Sequence, residues 1–95
     1  MSKKQFYADE DISFAYEEDR TEVVLHCEVF NWSHSVLKRS YMVLGDFMNQ
    51  KRKEGFKTLV TITPNPKFAK LFGGKSIGDM DLDGKKYEVV TWDLN

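Results

Sequence analysis

At 95 residues the chain can build one domain around a single core, and it is too short for two independent lobes. Hydrophobic residues make up 41%, aromatics 14% and charged residues 31%, which excludes a disordered tail and describes a folded, soluble protein. With no apolar run of roughly 18 residues and no charged-then-apolar leader, neither a membrane span nor a secretory signal is expected, and the expected location is the cytoplasm.

Net charge is -1, but it is unevenly spread. Residues 1 to 30 hold eight acidic and three basic side chains, while residues 31 to 75 hold nine basic and two acidic ones. A basic middle suits a phosphate-bearing ligand, or else a solvated helix face balanced by an acidic sheet edge. Cys27 is the only cysteine, which rules out an intrachain disulfide and a thiol pair for metal or redox work. Its simplest role is that of a buried, apolar-like side chain.

In chain order, residues 1 to 10 are polar and are expected to form a loose start. From Ile12 the pattern alternates, with Ile12, Phe14 and Tyr16 on one face, as in a half-buried strand. Glu18-Asp19-Arg20 reads as a turn. The following run TEVVLHCEVF puts Val23, Leu25, Cys27 and Val29 on one face and Val24, His26, Glu28 and Phe30 on the other, predicting an antiparallel hairpin. Asn31 to Ser35 offers several helix caps, and Leu37, Tyr41, Leu44 and Met48 then recur at three- and four-residue steps. The spacing predicts an amphipathic helix of about five turns, ending near Lys51-Arg52-Lys53 and stopped by Gly55.

FKTLVTIT, from Phe56 to Thr63, is rich in β-branched residues and apolar on both faces, as in a strand covered on both sides. Strand, long helix and strand in that order require a crossover that lays the two strands parallel. Pro64 ends the strand, Asn65 is placed to cap a short helix, and Pro66 takes its first position. Phe68, Leu71 and Phe72 are expected to form its inward stripe before Gly73 stops it. Residues 76 to 80 and 85 to 92 form a closing hairpin around Asp83-Gly84. The order is ββαβαββ, an α+β fold with one mixed sheet.

Gly55, the strand FKTLVTIT, Asn65 and Gly73 stand in an order that resembles the GNAT family of acetyl-CoA-dependent N-acetyltransferases, over about residues 12 to 93. The resemblance implies a single GNAT-like domain over residues 1 to 95, acetyl-CoA as cofactor, no metal, and an amine or protein acceptor. That family holds the cofactor pyrophosphate in an Arg/Gln-x-x-Gly-x-Gly/Ala loop at the start of the long helix, where free amides and the helix dipole favour anions. Counting back from Gly55, the equivalent segment is Ser35 to Ser40, which has neither glycine. By resemblance, the cofactor-side residues are Val29, Phe30, Lys38, Arg39, Ser40 and Asn65, with the amides of Lys38 to Ser40 meeting the phosphates. The catalytic base is Glu28 helped by His26, a pair expected to share a proton. Where the family often carries a Tyr as general acid, this chain has Phe72, with Tyr87 or Tyr41 as substitutes.

Three functional readings follow. The first is an acetyl-CoA-binding domain of the acetyltransferase type whose activity is weak or lost. The second is a non-enzymatic protein that keeps the fold for its shape and binds a host or virion protein, since small GNAT-like proteins of this kind look similar to those carried by bacteriophages. The third is a nucleic-acid binder using the basic middle; aromatics interleaved with lysines can stack bases, and Trp32 is the ring most suited to it. No RNA-recognition, zinc or helix-turn-helix signature supports that third reading, and nucleic acid and membrane are not expected partners.

Overall fold

The computed structural model describes residues 3 to 94. Its elements are β1 (Lys4–Ala8), β2 (Ile12–Asp19), β3 (Glu22–Val29), α1 (His34–Lys53), β4 (Thr58–Thr63), α2 (Pro66–Leu71), β5 (Lys75–Leu82) and β6 (Lys85–Asp93). They form one six-stranded sheet in the order β1-β2-β3-β4-β6-β5. All neighbours are antiparallel except β3 and β4, which run parallel as the α1 crossover demands. No helix among the described residues is long and apolar enough to cross a membrane.

The first strand lies where the sequence predicted a loose start. Lys4–Ala8 pairs with β2 through a bulge between Gln5 and Tyr7. Tertiary contact holds it there: the Phe6 ring stacks on Phe47 of α1 at 4.0 Å and on Phe14 at 5.9 Å. The β2–β3 turn is also tighter than expected. Both strands run to the Asp19–Glu22 pair, leaving Arg20 and Thr21 as a two-residue connection with Arg20 at φ 55.

Both helices lie on one face of the sheet. Strand partners share a face, so Tyr16, Leu25 and Thr61 are on one side, with Leu59 and Trp92 beside them. Phe47 of α1 packs on Tyr16, and the indole of Trp92 donates to the Phe72 carbonyl at the end of α2. The core is Ile12, Phe14, Val23, Leu25, Leu59, Val90 and Trp92 of the sheet under Val36, Leu44 and Phe47 of α1. On the opposite face Val60 is only half-buried and Ile62 is exposed. The expectation that β4 is covered on both sides is therefore corrected: among the described residues no helix covers that face.

The buried stripe of α1 is Val36, Ser40, Leu44, Phe47 and Lys51, which shares Leu44 with the predicted one but has Val36, Ser40 and Phe47 in place of Leu37, Tyr41 and Met48. Tyr41 faces solvent at 62% exposure. The shift arises because two polar side chains occupy inward positions. Lys51 is 4% exposed, yet its ammonium donates to Glu18 at 2.7 Å and Glu54 at 3.1 Å and sits 4.4 Å from the Tyr16 ring centre. A buried cation is tolerated when it is paired and hydrogen-bonded in this way. In α2 the buried position is Ala69, joined by Phe72 just past its end, while Leu71, predicted to point inward, is 55% exposed. A helix of six residues can present only one such pair to the sheet.

Candidate functional site: a wedge between β3 and β4

The two parallel strands separate partway along. They pair from Glu22–Thr58 to Leu25–Thr61 and no further. Beyond that point β3 continues to Val29 on β2, and β4 continues to Thr63 on β6. The Thr61 hydroxyl donates to the Leu25 carbonyl at 2.9 Å, closing the crotch. Pro64 then ends β4, because it has no N–H to offer a ladder. Past the crotch the facing edges of Cys27–Val29 and Ile62–Thr63 are left without a strand partner between them, so their backbone groups are open to water or a ligand.

On the helix face this opening leads into a cavity of about 620 Å³ roofed by α2. That is within the range of small-molecule sites, roughly 300–1,000 Å³. Its rim is exposed, with Val29 41%, Trp32 51%, Ile62 45% and Leu71 55% accessible. Its inner wall is buried, formed by Leu25, Leu44, Ala69, Phe72 and Trp92. Among the described residues, Lys67 is the one charged side chain in the lining. Trp32 meets Phe68 edge-on at 5.3 Å, so the ring predicted to serve in stacking forms part of the mouth. Behind the Trp92 wall, Gly74 packs closely on β6, since a Cβ there would lie 2.5 Å from Val90 Cγ1 and 3.0 Å from the Trp92 ring.

Cys27 lines the same cavity, and burial, followed by the charge of Glu28, pushes its thiol pKa up to about 12. It therefore stays protonated at neutral pH and is a poor nucleophile. Among the described residues no group of three or more His, Cys, Asp or Glu is placed to hold a metal.

The predicted cofactor-side residues divide into two groups. Val29 and Asn65 line the cavity. Asn65 sits at the start of α2 without a side-chain cap bond, its amide donating instead to Thr63 Oγ1 at 3.0 Å. Phe30, Lys38, Arg39 and Ser40 do not line it. The long helix begins at His34, capped by Ser33, whose hydroxyl accepts from the Val36 amide at 3.2 Å. Lys38 to Ser40 consequently lie past the first turn, where amides are bonded within the helix. Arg39 is committed elsewhere: it reaches Asp9 and, at 2.9 Å, Asp11, tying α1 to the β1–β2 turn. The Asp9 carboxyl is itself lowered to about 2, first by the Tyr7 hydroxyl and then by the amides of Asp11 and Ile12. Ser40 is fully buried, and its hydroxyl has no partner among the described residues. These contacts, with Lys51–Glu18, also show that part of the basic middle neutralises the acidic start.

His26 and Glu28 share the helix-free face, as the alternation predicted. The expected contact between them is replaced by another: His26 Nε2 lies 2.9 Å from Glu17 Oε1 on β2. Residues two apart on a strand are about 6.6 Å apart, whereas a long side chain on the neighbouring strand reaches along the diagonal. Register places Ala15 opposite His26 and Val24 opposite Glu17, which makes that diagonal. Glu17 is not singled out by the sequence because the turn expected at Glu18-Asp19-Arg20 starts two residues early; a two-residue turn at Arg20-Thr21 gives the register. His26 is also the first residue beyond the last β3–β4 pair, so it stands at the crotch, while Glu28 lies farther out and exposed.

No family model and no curated protein matches this sequence. Solved structures do match. An aminoglycoside 6'-acetyltransferase type Ii superposes with a TM-score of 0.76 at 13% identity, covering 94% of this chain and 66% of that one. A ribosomal-protein-S5-alanine acetyltransferase from Vibrio fischeri gives 0.69 at 6% identity, covering 90% and 55%. A protein from Desulfovibrio desulfuricans, assigned to the acetyltransferases of the GNAT family, gives 0.68 at 17%, covering 94% and 65%. This chain thus spans under two thirds of the length of these structures. At such identities the likeness concerns architecture, and the architecture is that of the GNAT acetyltransferases.

Proposed function

We propose that this chain binds an acyl-CoA thioester, acetyl-CoA in the first instance, in the β3–β4 wedge and passes the acyl group to an amine. The observation that carries the reading is the separation of two parallel strands over an apolar cavity, because it offers unpaired backbone edges to a linear amide-bearing arm. The thioester supplies an activated acyl carbon; when the amine nitrogen bonds to it, the carbon–sulfur bond breaks and the thiolate takes up a proton. The departure from the family's pattern lies at the phosphate end. Without a glycine loop, the groups suited to the phosphates are the His34 and Ser35 amides at the start of α1, with Lys67 at the cavity rim.

An acceptor ammonium must lose a proton before its lone pair can attack. His26 is the better base by position. A carboxylate only accepts hydrogen bonds, so Glu17 holds the hydrogen on His26 Nε2 and leaves the Nδ1 lone pair free. Because the sheet is open past the crotch, donor and acceptor can approach from opposite faces. Such chemistry belongs where acyl-CoA is made and used, and the cytoplasm is the proposed location.

The test is thermal unfolding of the intact chain with and without acetyl-CoA. A ligand at 100 times its Kd stabilises the native state by about 2.7 kcal/mol, which for a domain of this size raises the midpoint by roughly 10 °C or more. An unchanged midpoint with both acetyl-CoA and CoA would remove the thioester reading. It would leave the fold serving for its shape, as a binder of a host or virion protein.

A further inference from the structure

The inner part of the cavity is more apolar and more deeply buried than a two-carbon acyl group requires. Leu25, Leu44, Ala69, Phe72 and Trp92 form its wall, at 3%, 1%, 3%, 9% and 7% exposure. The polar atoms that reach it are already engaged. Thr61 Oγ1 donates to Leu25 O at 2.9 Å, and Trp92 Nε1 donates to Phe72 O at 2.9 Å. Water there would find few of the two to four partners it needs, whereas an apolar cavity of only about 150 Å³ can accept a benzene-sized guest.

We propose that this inner chamber is a binding site for an unbranched acyl chain of about four to eight carbons, so that the preferred donor is a medium-chain acyl thioester rather than acetyl-CoA. The inference rests on the wedge as the thioester site. With the thioester carbon at the Leu25–Thr61 crotch, the pantetheine arm runs outward past Val29 and Asn65, and the acyl chain runs inward toward Leu44 and Trp92. The lining contains no charged group at that end, since Lys67 belongs to α2's exposed surface at the rim.

The experiment measures the affinity of the intact chain for CoA, acetyl-, butanoyl- and octanoyl-CoA by calorimetry, with octanoate as a thioester-free probe. Burial of methylenes predicts affinity that climbs along the series, with octanoyl-CoA at least roughly 30-fold tighter than acetyl-CoA. Ala69→Leu, which fills the chamber, is expected to flatten the series by removing the gain of octanoyl-CoA over acetyl-CoA. If Ala69→Leu does not fold, the series on the unaltered chain decides alone. Equal affinity across the series, or a preference for acetyl-CoA, would overturn the proposal. Octanoate binding with no thioester binding would uphold the acyl chamber and reject the donor role; failure of both would reject both.

Discussion

Replacing His26 by Gln is expected to lower the rate of amine acylation by roughly 10²- to 10⁴-fold, the usual contribution of a positioned base. The reason is place as much as chemistry. His26 is the first β3 residue beyond the last paired position, and Glu17 Oε1 at 2.9 Å fixes which ring nitrogen carries the hydrogen. His26 does not line the cavity, so donor affinity should stay unchanged and the loss should fall on kcat. Glu17→Gln should give a smaller loss, since an amide can still accept from Nε2–H but can also turn its NH₂ toward the ring. Glu28→Gln should be close to neutral, because Glu28 is exposed and lies farther from the crotch. A chain that keeps its rate without His26 and loses it without the Glu28 carboxylate would reassign the base.

Lys51→Ala is the substitution expected to cost the most stability, about 2–4 kcal/mol and roughly 10 °C or more in the unfolding midpoint. Lys51 does three jobs at once. Its stem fills the space under the end of α1, its ammonium bridges Glu18 and Glu54, and it faces the rings of Tyr16, Phe56 and Phe47 at 4.4, 5.5 and 5.6 Å. Burial works against its charge, but the hydrogen bonds to Glu18 and Glu54 outweigh it and leave the pKa raised above 10.5. Because the folded value is the higher one, this contribution is fully present at neutral pH and is lost only as pH rises through the alkaline range. Lys51→Met keeps the stem, and Glu18 and Glu54 are exposed enough to be hydrated, so it should cost less than half as much. Equal losses from Ala and Met, measured by chemical denaturation, would show that the charge and not the packing is what matters.

Element order was largely legible in the sequence. The β-branched run before Pro64, the Gly55 stop and the Asp83-Gly84 turn were each local signals, and the hairpin forms with Asp83 at φ 51 and Gly84 at φ 78. The long helix implied the parallel pairing on which the wedge depends. Features set by tertiary contact were not legible. β1 is a five-residue strand whose order comes from Phe6 lying on Phe47, a residue far along the chain. The facing of α1 was missed because Ser40 and Lys51 look like surface residues until their surroundings are known. Arg39 looked free to meet a phosphate, and only the fold brings Asp9 and Asp11 to it. Of the residues that the family resemblance suggests, Val29 and Asn65 line the cavity, whereas the inner wall draws Leu44 and Trp92 from distant parts of the chain.

The most direct measurement is an amide-resolved NMR titration of the intact chain with CoA. The account predicts that the shifts concentrate at Cys27–Val29, the His34 and Ser35 amides, Thr61–Asn65 and the α2 residues over the cavity, with the Lys38–Ser40 amides and the Asp9–Arg39 contact little changed. Shifts centred on Lys38–Ser40, on the helix-free face alone, or absent at millimolar CoA would contradict it.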